Sequence, residues 1–274
     1  MTTIAFIGAG NMASAIMGGL IENGFQANNI WACDPSEDKL AELATTFGVQ
    51  TTTNNADAAL KADAVILAVK PQVMEAVLAP LQSALQERQP LIISVAAGIN
   101  LQSLETWIGG QPAIVRCMPN TPALVGQGAS GLFANDQVSA DQKALASKML
   151  DAVGTSVWVN NESELDAVTA VSGSGPAYYF LFMEAMIEAG MKLGLSEETA
   201  TSLTLKTALG AATMASSSEL APAQLRKNVT SPNGTTEQAI LSFQNDALSN
   251  IVEKALKAAN DRSVELCEEL GAKN

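Results

Sequence analysis

The rhythm of apolar and polar positions changes along the chain. Up to about residue 160, short unbroken apolar runs alternate with stretches whose apolar residues recur every three or four positions. The runs Ile4–Gly8, Ile30–Cys33, Ala64–Val69, Leu91–Ala96 and Ala113–Met118 predict strands buried on both faces. Met12–Glu22, Glu37–Phe47 and Val73–Leu85 predict helices between them. A further strand pair, around Ser130–Ala134 and Ser156–Val159, brackets a helix near Asp141–Val153. Strands alternating with helices imply an α/β domain, here over 1–160, with a parallel sheet covered on both sides.

Beyond residue 160 the strand-like runs stop. Segments rich in Ala, Leu, Met, Glu and Lys follow at Pro176–Leu193, Glu197–Ser216, Pro222–Asn228, Thr235–Gln244 and Ala247–Leu270. Breaks fall at Gly194, at Ser216-Ser217-Ser218 and at Ser231-Pro232-Asn233-Gly234. Ser196 is the expected N-cap of the second segment, because Glu197 and Glu198 fill the first turn. Residues 161–274 therefore read as an all-helical domain. Ala-rich helices bury little by themselves, so this domain is expected to complete its core against a second copy.

Composition then removes whole classes of function. Lys and Arg total 15 against 28 Asp and Glu, a net charge of −13 that argues against nucleic acid as a partner. No apolar run is long enough for a membrane span, and the N-terminus lacks a basic lead-in, so the expected location is the cytoplasm. The chain has no histidine, which removes the commonest general acid–base group and metal ligand. Cys33, Cys117 and Cys267 are too scattered for a zinc site or a disulfide framework, and no metal is expected. Chemistry must run on carboxylates, hydroxyls, lysines, backbone amides or a cofactor.

Gly8-Ala9-Gly10-Asn11-Met12-Ala13 follows a strand and opens a helix, the G-x-G-x-x-G/A setting of a dinucleotide loop. The first glycine permits the tight turn, the second lets the backbone approach a pyrophosphate, and Ala13 allows close packing. The helix N-terminus offers N–H groups and a positive dipole end to phosphates. Asp34 ends the second strand, where an acidic residue holds the ribose hydroxyls of NAD and repels the 2′-phosphate of NADP. It also reads as the N-cap of the following helix, with Pro35 at the first helical position. Lys39 is the only basic residue in 31–47, so the local reading leans to NADH.

Other strand ends carry candidate contacts. Lys70, in Ala68-Val69-Lys70-Pro71, either faces a cofactor or is a solvated loop lysine. Ser94-Val95-Ala96-Ala97-Gly98 ends a strand in small residues that leave room for a nicotinamide ring or simply suit a turn. Ser172-Gly173-Ser174-Gly175-Pro176-Ala177 is either a tightly packed helix start or a wall of the site. In Val229-Thr230-Ser231-Pro232-Asn233-Gly234-Thr235-Thr236, a turn precedes a helix. Its amides can hold a carboxylate and its threonine hydroxyls can donate to an anion or a ring nitrogen. An ordinary N-cap turn has the same pattern.

These motifs, in this order and spacing, resemble the pyrroline-5-carboxylate reductase family over essentially the whole chain. Ala68-Val69-Lys70-Pro71, Met118-Pro119-Asn120-Thr121-Pro122, Val171–Ala177 and Ser231–Thr236 carry the resemblance. It implies a Rossmann-type domain followed by a helical dimerisation domain that interleaves in a homodimer, and assembly of such dimers into decamers. It implies hydride transfer from NADPH or NADH to the C=N carbon of 1-pyrroline-5-carboxylate, giving L-proline. Cofactor contacts then fall on Ile7, Gly8, Ala9, Gly10, Asn11, Met12, Asp34, Asn55, Ala68, Val69, Lys70, Pro71, Val95, Ala96, Ala97 and Glu162. Substrate contacts fall on Asn228, Gly234, Thr235 and Thr236, with Glu219 at the border of the site. Thr236 is the expected catalytic hydroxyl, a partner for the ring nitrogen. Two positions depart from the pattern. Asn233 stands where glycine is commoner, and Asp34 stands where NADP-preferring members carry Ser or Thr.

Three other readings compete. β-Hydroxyacid dehydrogenases share the layout but need a lysine early in the helical domain, and here none follows Gly175 until Lys192. A reductase of another cyclic imine differs only in pocket size. A dinucleotide-sensing protein without turnover would not need Ser231–Thr236 intact.

Overall fold

In the computed structural model, which describes residues 2–271, the apolar runs become strands of one sheet. In chain order the elements are β1 (Ile4–Ile7), α1 (Asn11–Glu22), β2 (Ile30–Cys33), α2 (Glu37–Phe47), β3 (Gln50–Thr52), α3 (Asn55–Ala59) and β4 (Ala64–Leu67). Next come α4 (Met74–Leu78), α5 (Gln82–Arg88), β5 (Leu91–Ser94), α6 (Leu101–Ile108) and β6 (Ile114–Met118). Then follow β7 (Gly128–Ala134), α7 (Ala140–Asp151), β8 (Gly154–Trp158) and α8 (Glu164–Val168). The strand order is β3-β2-β1-β4-β5-β6-β7-β8. Neighbours are parallel except β6 and β7. The loop 119–127 is too short for the crossover a parallel pair requires, so β7 returns antiparallel to β6.

The strands are unbroken apolar runs because both faces are covered. Ile4 and Phe6 of β1 join one core with Ile16 and Met17 of α1, while Ala5 and Ile7 join the other with Leu67 and Met74. The chain runs outward from β1 to β3 and returns on the other side of β1 as β4. This reversal opens a crevice beyond the carboxyl ends of β1 and β4, where ligands of such sheets bind.

Local departures from the predicted elements have physical causes. The helix expected over Val73–Leu85 breaks into α4 and α5 around a tighter turn, Ala79–Leu81. Pro80 has no N–H to donate and crowds the preceding turn. β3 went unpredicted because Gln50-Thr51-Thr52 is a polar edge strand. The N-cap of α2 is Ser36, whose Oγ accepts from the Lys39 N–H; Asp34 lies two residues earlier, so Pro35 precedes the helix.

The chain forms two compact units: residues up to Ser174 with the segment from Ala258 onward, and Gly175–Lys257. Composition changes near residue 160, but packing changes at Ser174. Residues 161–174 stay with the sheet because Asn120 Nδ2 donates to the Ser172 carbonyl at 3.0 Å. The second unit holds α9 (Gly175–Lys192), α10 (Glu197–Ser216), α11 (Pro222–Asn228), α12 (Thr235–Asn245) and the start of α13 (Leu248–Leu270). Ser196 caps α10, its Oγ accepting the Thr199 N–H at 3.2 Å. Within the single chain Phe180 is 63% exposed and Leu209 60%. Apolar faces of this extent mark an interaction surface. Among the described residues no helix is long and apolar enough to cross a membrane.

Candidate active site

The glycine loop has the conformation its sequence demands. Gly8 has φ +101°, and a Cβ there would stand 2.7 Å from the Ala68 carbonyl oxygen at the end of β4. Only glycine combines that torsion with that approach. Gly10 caps α1, and a Cβ on it would meet nothing within 4 Å. The backbone thus faces open space in front of a helix N-terminus, which fits a pyrophosphate. Ala13 is fully buried against the sheet, while Asn11 and Met12 lie at the open end of α1.

The carboxyl ends of β2, β1, β4 and β5 stand side by side in the sheet. Asp34, Ile7–Met12, Ala68–Pro71 and Val95–Ala97 follow them in that order. Asp34 is buried, with Oδ2 accepting from the Ala9 N–H at 3.1 Å and Oδ1 from the Ser36 N–H at 3.0 Å. Lys39 Nζ stands 3.5 Å from Oδ2. Lys70 is exposed at the end of β4, and Asn55 opens α3. Ala96 is buried and Ala97 exposed in the turn after β5.

Glu162 is engaged within the protein. Its Oε1 accepts from the Leu101 N–H at the start of α6 at 2.6 Å and from Arg116 Nη1 at 2.7 Å. Sequence reading passed over Arg116; its one visible signal was a charge inside the apolar run of β6. It held Asn120 only as part of the Met118–Pro122 motif, without a role; its Oδ1 accepts from the Ala129 N–H and its Nδ2 donates to the Ser172 carbonyl.

The substrate candidates lie in the second unit. The Gly234 N–H donates to the Ser231 carbonyl at 3.1 Å, closing the turn Ser231-Pro232-Asn233-Gly234. Asn233 has φ +59°, the left-handed conformation that Asn tolerates and glycine adopts freely. A Cβ on Gly234 would come within 3.0 Å of the Ser231 carbonyl, which explains glycine there. Gly234 caps α12, so Thr235 and Thr236 occupy its first turn, exposed. Helix geometry leaves that turn's N–H groups without intrahelical acceptors. Glu237 turns back to accept from the Asn233 N–H at 2.7 Å, which fixes the turn against the helix. Asn228 ends α11, its Oδ1 accepting from Gln224. Glu219 lies exposed before α11. Among the described residues no three His, Cys, Asp or Glu side chains come together as metal ligands.

Comparison with known proteins agrees with this layout. Residues 162–266 match the family model described as pyrroline-5-carboxylate reductase dimerisation, and residues 3–98 match NADP oxidoreductase, coenzyme F420-dependent. The chain is 58% identical over 268 residues to a pyrroline-5-carboxylate reductase of Pseudomonas aeruginosa, covering 98% of each chain. It is 47% identical over 264 residues to that of Vibrio alginolyticus, covering 96% of this chain and 97% of the other. The structure of a pyrroline-5-carboxylate reductase from Coxiella burnetii superposes with a TM-score of 0.94 at 47% identity, covering 99% of both. The Plasmodium falciparum pyrroline carboxylate reductase, solved with NADP bound, gives 0.84 at 31% identity, covering 97% of this chain and 98% of that one. With a Rossmann-type sheet, a helical dimerisation region and full-length relatives at this identity, the chain belongs to the pyrroline-5-carboxylate reductase family.

Proposed function

We propose that this protein reduces the C=N bond of 1-pyrroline-5-carboxylate to L-proline, with a nicotinamide dinucleotide as reductant. The observation that carries the reading is the Ser231–Gly234 turn, which presents Thr235 and Thr236 at the open start of α12 in a chain of this family. When bound, the reduced nicotinamide supplies the hydride that adds to the imine carbon.

The chain's own residues do the rest. Gly8 and Gly10 let the backbone meet the pyrophosphate, and the start of α1 adds its amides and dipole. Val95–Ala97 form a wall of small side chains at the nicotinamide end. N–H groups of Gly234–Thr236 hold the substrate carboxylate and orient the ring, with Asn228 beside them. The Thr236 hydroxyl hydrogen-bonds the ring nitrogen. It positions and polarises; the proton that balances the hydride arrives on the substrate imine or through water, because a threonine hydroxyl is a poor acid.

Both NADPH and NADH serve as donors on this reading, and Asp34 weights the choice towards NADH. Its buried carboxylate lies at the strand end where a 2′-phosphate would add a second negative charge, and Lys39 offsets that only in part. The exposed apolar residues of the helical region support a homodimer through residues 161–274, with dimers assembling into a decamer. The place of action is the cytoplasm.

The test follows oxidation of NADPH and NADH side by side, with purified protein and pyrroline-5-carboxylate. Rapid oxidation with either supports the reading, and the ratio of kcat/KM values measures the weight of Asp34. No oxidation by protein that binds the dinucleotide overturns it.

A further inference from the structure

Arg116 lies in the interior of the sheet, on β6, beside Ser94 of β5 in register and Phe133 of β7. Its side chain is only 11% exposed and its guanidinium makes an ion pair with Glu162 at 2.7 Å. The same carboxylate oxygen takes the Leu101 N–H at 2.6 Å. That amide is the first of α6 and has no acceptor within its helix. A carboxylate there also meets the positive end of the helix dipole. Asn100 satisfies another donor of this turn, its Oδ1 accepting from the Ser103 N–H at 2.9 Å.

Packing converges on the same turn from the C-terminal end of the chain. Gly98 has φ +73°, and a Cβ on it would stand 3.3 Å from Cβ of Leu266 and 3.2 Å from Cδ1 of Leu270. Ser263 Oγ donates to Asp166 Oδ1 at 2.7 Å, tying this part of α13 to α8. Cys267 lies next to Arg116; burial raises its thiol pKa, and the guanidinium opposes that rise. The turn 95–100 is therefore held by β5, by Arg116 through Glu162, and by α13. Elsewhere on this rim Asp34 braces the backbone of the glycine loop at the Ala9 N–H.

We propose that Arg116 is a positioning residue for the dinucleotide site, fixing Glu162 and the start of α6 so that the turn Val95–Asn100 stays shaped for the nicotinamide half of the cofactor. This rests on the dinucleotide reading above, not on the identity of the imine. Glu162, if it also reaches the cofactor, depends on the same ion pair for its direction. A charge in a central strand otherwise has a high desolvation cost. A role in shaping the rim explains why β6 carries it.

The experiment measures dissociation constants without imine substrate, by quenching of protein fluorescence, for NADPH, NADH and the adenosine fragment 2′,5′-ADP. Wild type is compared with Arg116→Met, Arg116→Lys, Glu162→Gln and the double variant Arg116→Met/Glu162→Gln, each with its melting temperature. Arg116→Met is expected to weaken both whole dinucleotides about tenfold, the scale of one hydrogen bond to a charged group, and to leave 2′,5′-ADP unchanged. Arg116→Lys should recover part of the loss, and the double variant should bind no worse than the weaker single variant, because the pair acts as a unit. A lower melting temperature with unchanged dinucleotide affinity overturns the proposal. So does an equal loss for the fragment and the whole cofactor. If Arg116→Met does not fold, Arg116→Lys and Glu162→Gln decide it on the same readings. Wild-type protein that binds dinucleotide but reduces no cyclic imine overturns the proposed function while leaving these affinities to decide the role of Arg116.

Discussion

Asp34 accepts a hydrogen bond from the backbone N–H of Ala9, 3.1 Å away in the middle of the glycine loop. On the proposed dinucleotide reading, one carboxylate braces the loop that meets the pyrophosphate and sets the charge at the ribose end of the site. Asp34→Ser keeps a short acceptor and removes the charge. The ratio of kcat/KM for NADPH to that for NADH should rise by about tenfold or more, as expected when a like charge near a phosphate is removed. An unchanged ratio in steady-state kinetics would take Asp34 out of cofactor choice.

Thr236 stands in the exposed first turn of α12, where its hydroxyl is open to a ligand. Thr236→Ala should lower turnover by roughly 10- to 1,000-fold, the loss typical of one positioned polar contact. Thr236→Ser should retain most of it. Equal kcat and KM in the alanine variant and wild type would remove Thr236 from the mechanism.

Gly8 combines φ +101° with a 2.7 Å approach of any Cβ to the Ala68 carbonyl. Gly8→Ala should cost about 2–4 kcal/mol in stability and abolish measurable dinucleotide binding. Thermal melting and a binding titration together check this. A variant that melts with wild type and binds normally would show that the loop adjusts.

Burial pushes the thiols of Cys33 and Cys117 up to about 12 from an ordinary 9.0. Between those values the folded chain keeps protons that the unfolded chain releases. Their contribution to stability is therefore complete below pH 9 and is lost as pH rises towards 12. Urea unfolding at about pH 8 and about pH 10.5 should show a smaller alkaline loss for Cys33→Ala/Cys117→Ala than for wild type. Identical losses would mean that the thiols do not carry the effect.

Phe180 and Leu209 expose more than half their surface in the single chain. On the dimer reading, a second copy covers them. Phe180→Asp/Leu209→Asp should shift the protein to monomer in sedimentation velocity and lower its melting temperature, since a charge in an apolar interface is strongly unfavourable. An unaltered sedimentation coefficient would place the dimer contact elsewhere.

How much was legible follows from how local each feature's cause is. α10 and α11 begin where side chains say so: Ser196 supplies an acceptor for an orphan amide, and Pro222 suits a first turn. The doubly buried strands announced themselves because apolar residues predominate on both faces. The glycine loop was readable because its steric demand is met by one residue type. By itself, then, the sequence determined the alternation of strands and helices, the dinucleotide loop and the turn that presents Thr235 and Thr236. The antiparallel return of β7, the release of Asp34 from capping to brace Ala9, and the grip of Arg116 on Glu162 were decided only in three dimensions. Each depends on partners distant along the chain, brought together by packing and by the need to satisfy buried polar groups, and neither periodicity nor spacing records which partners those are.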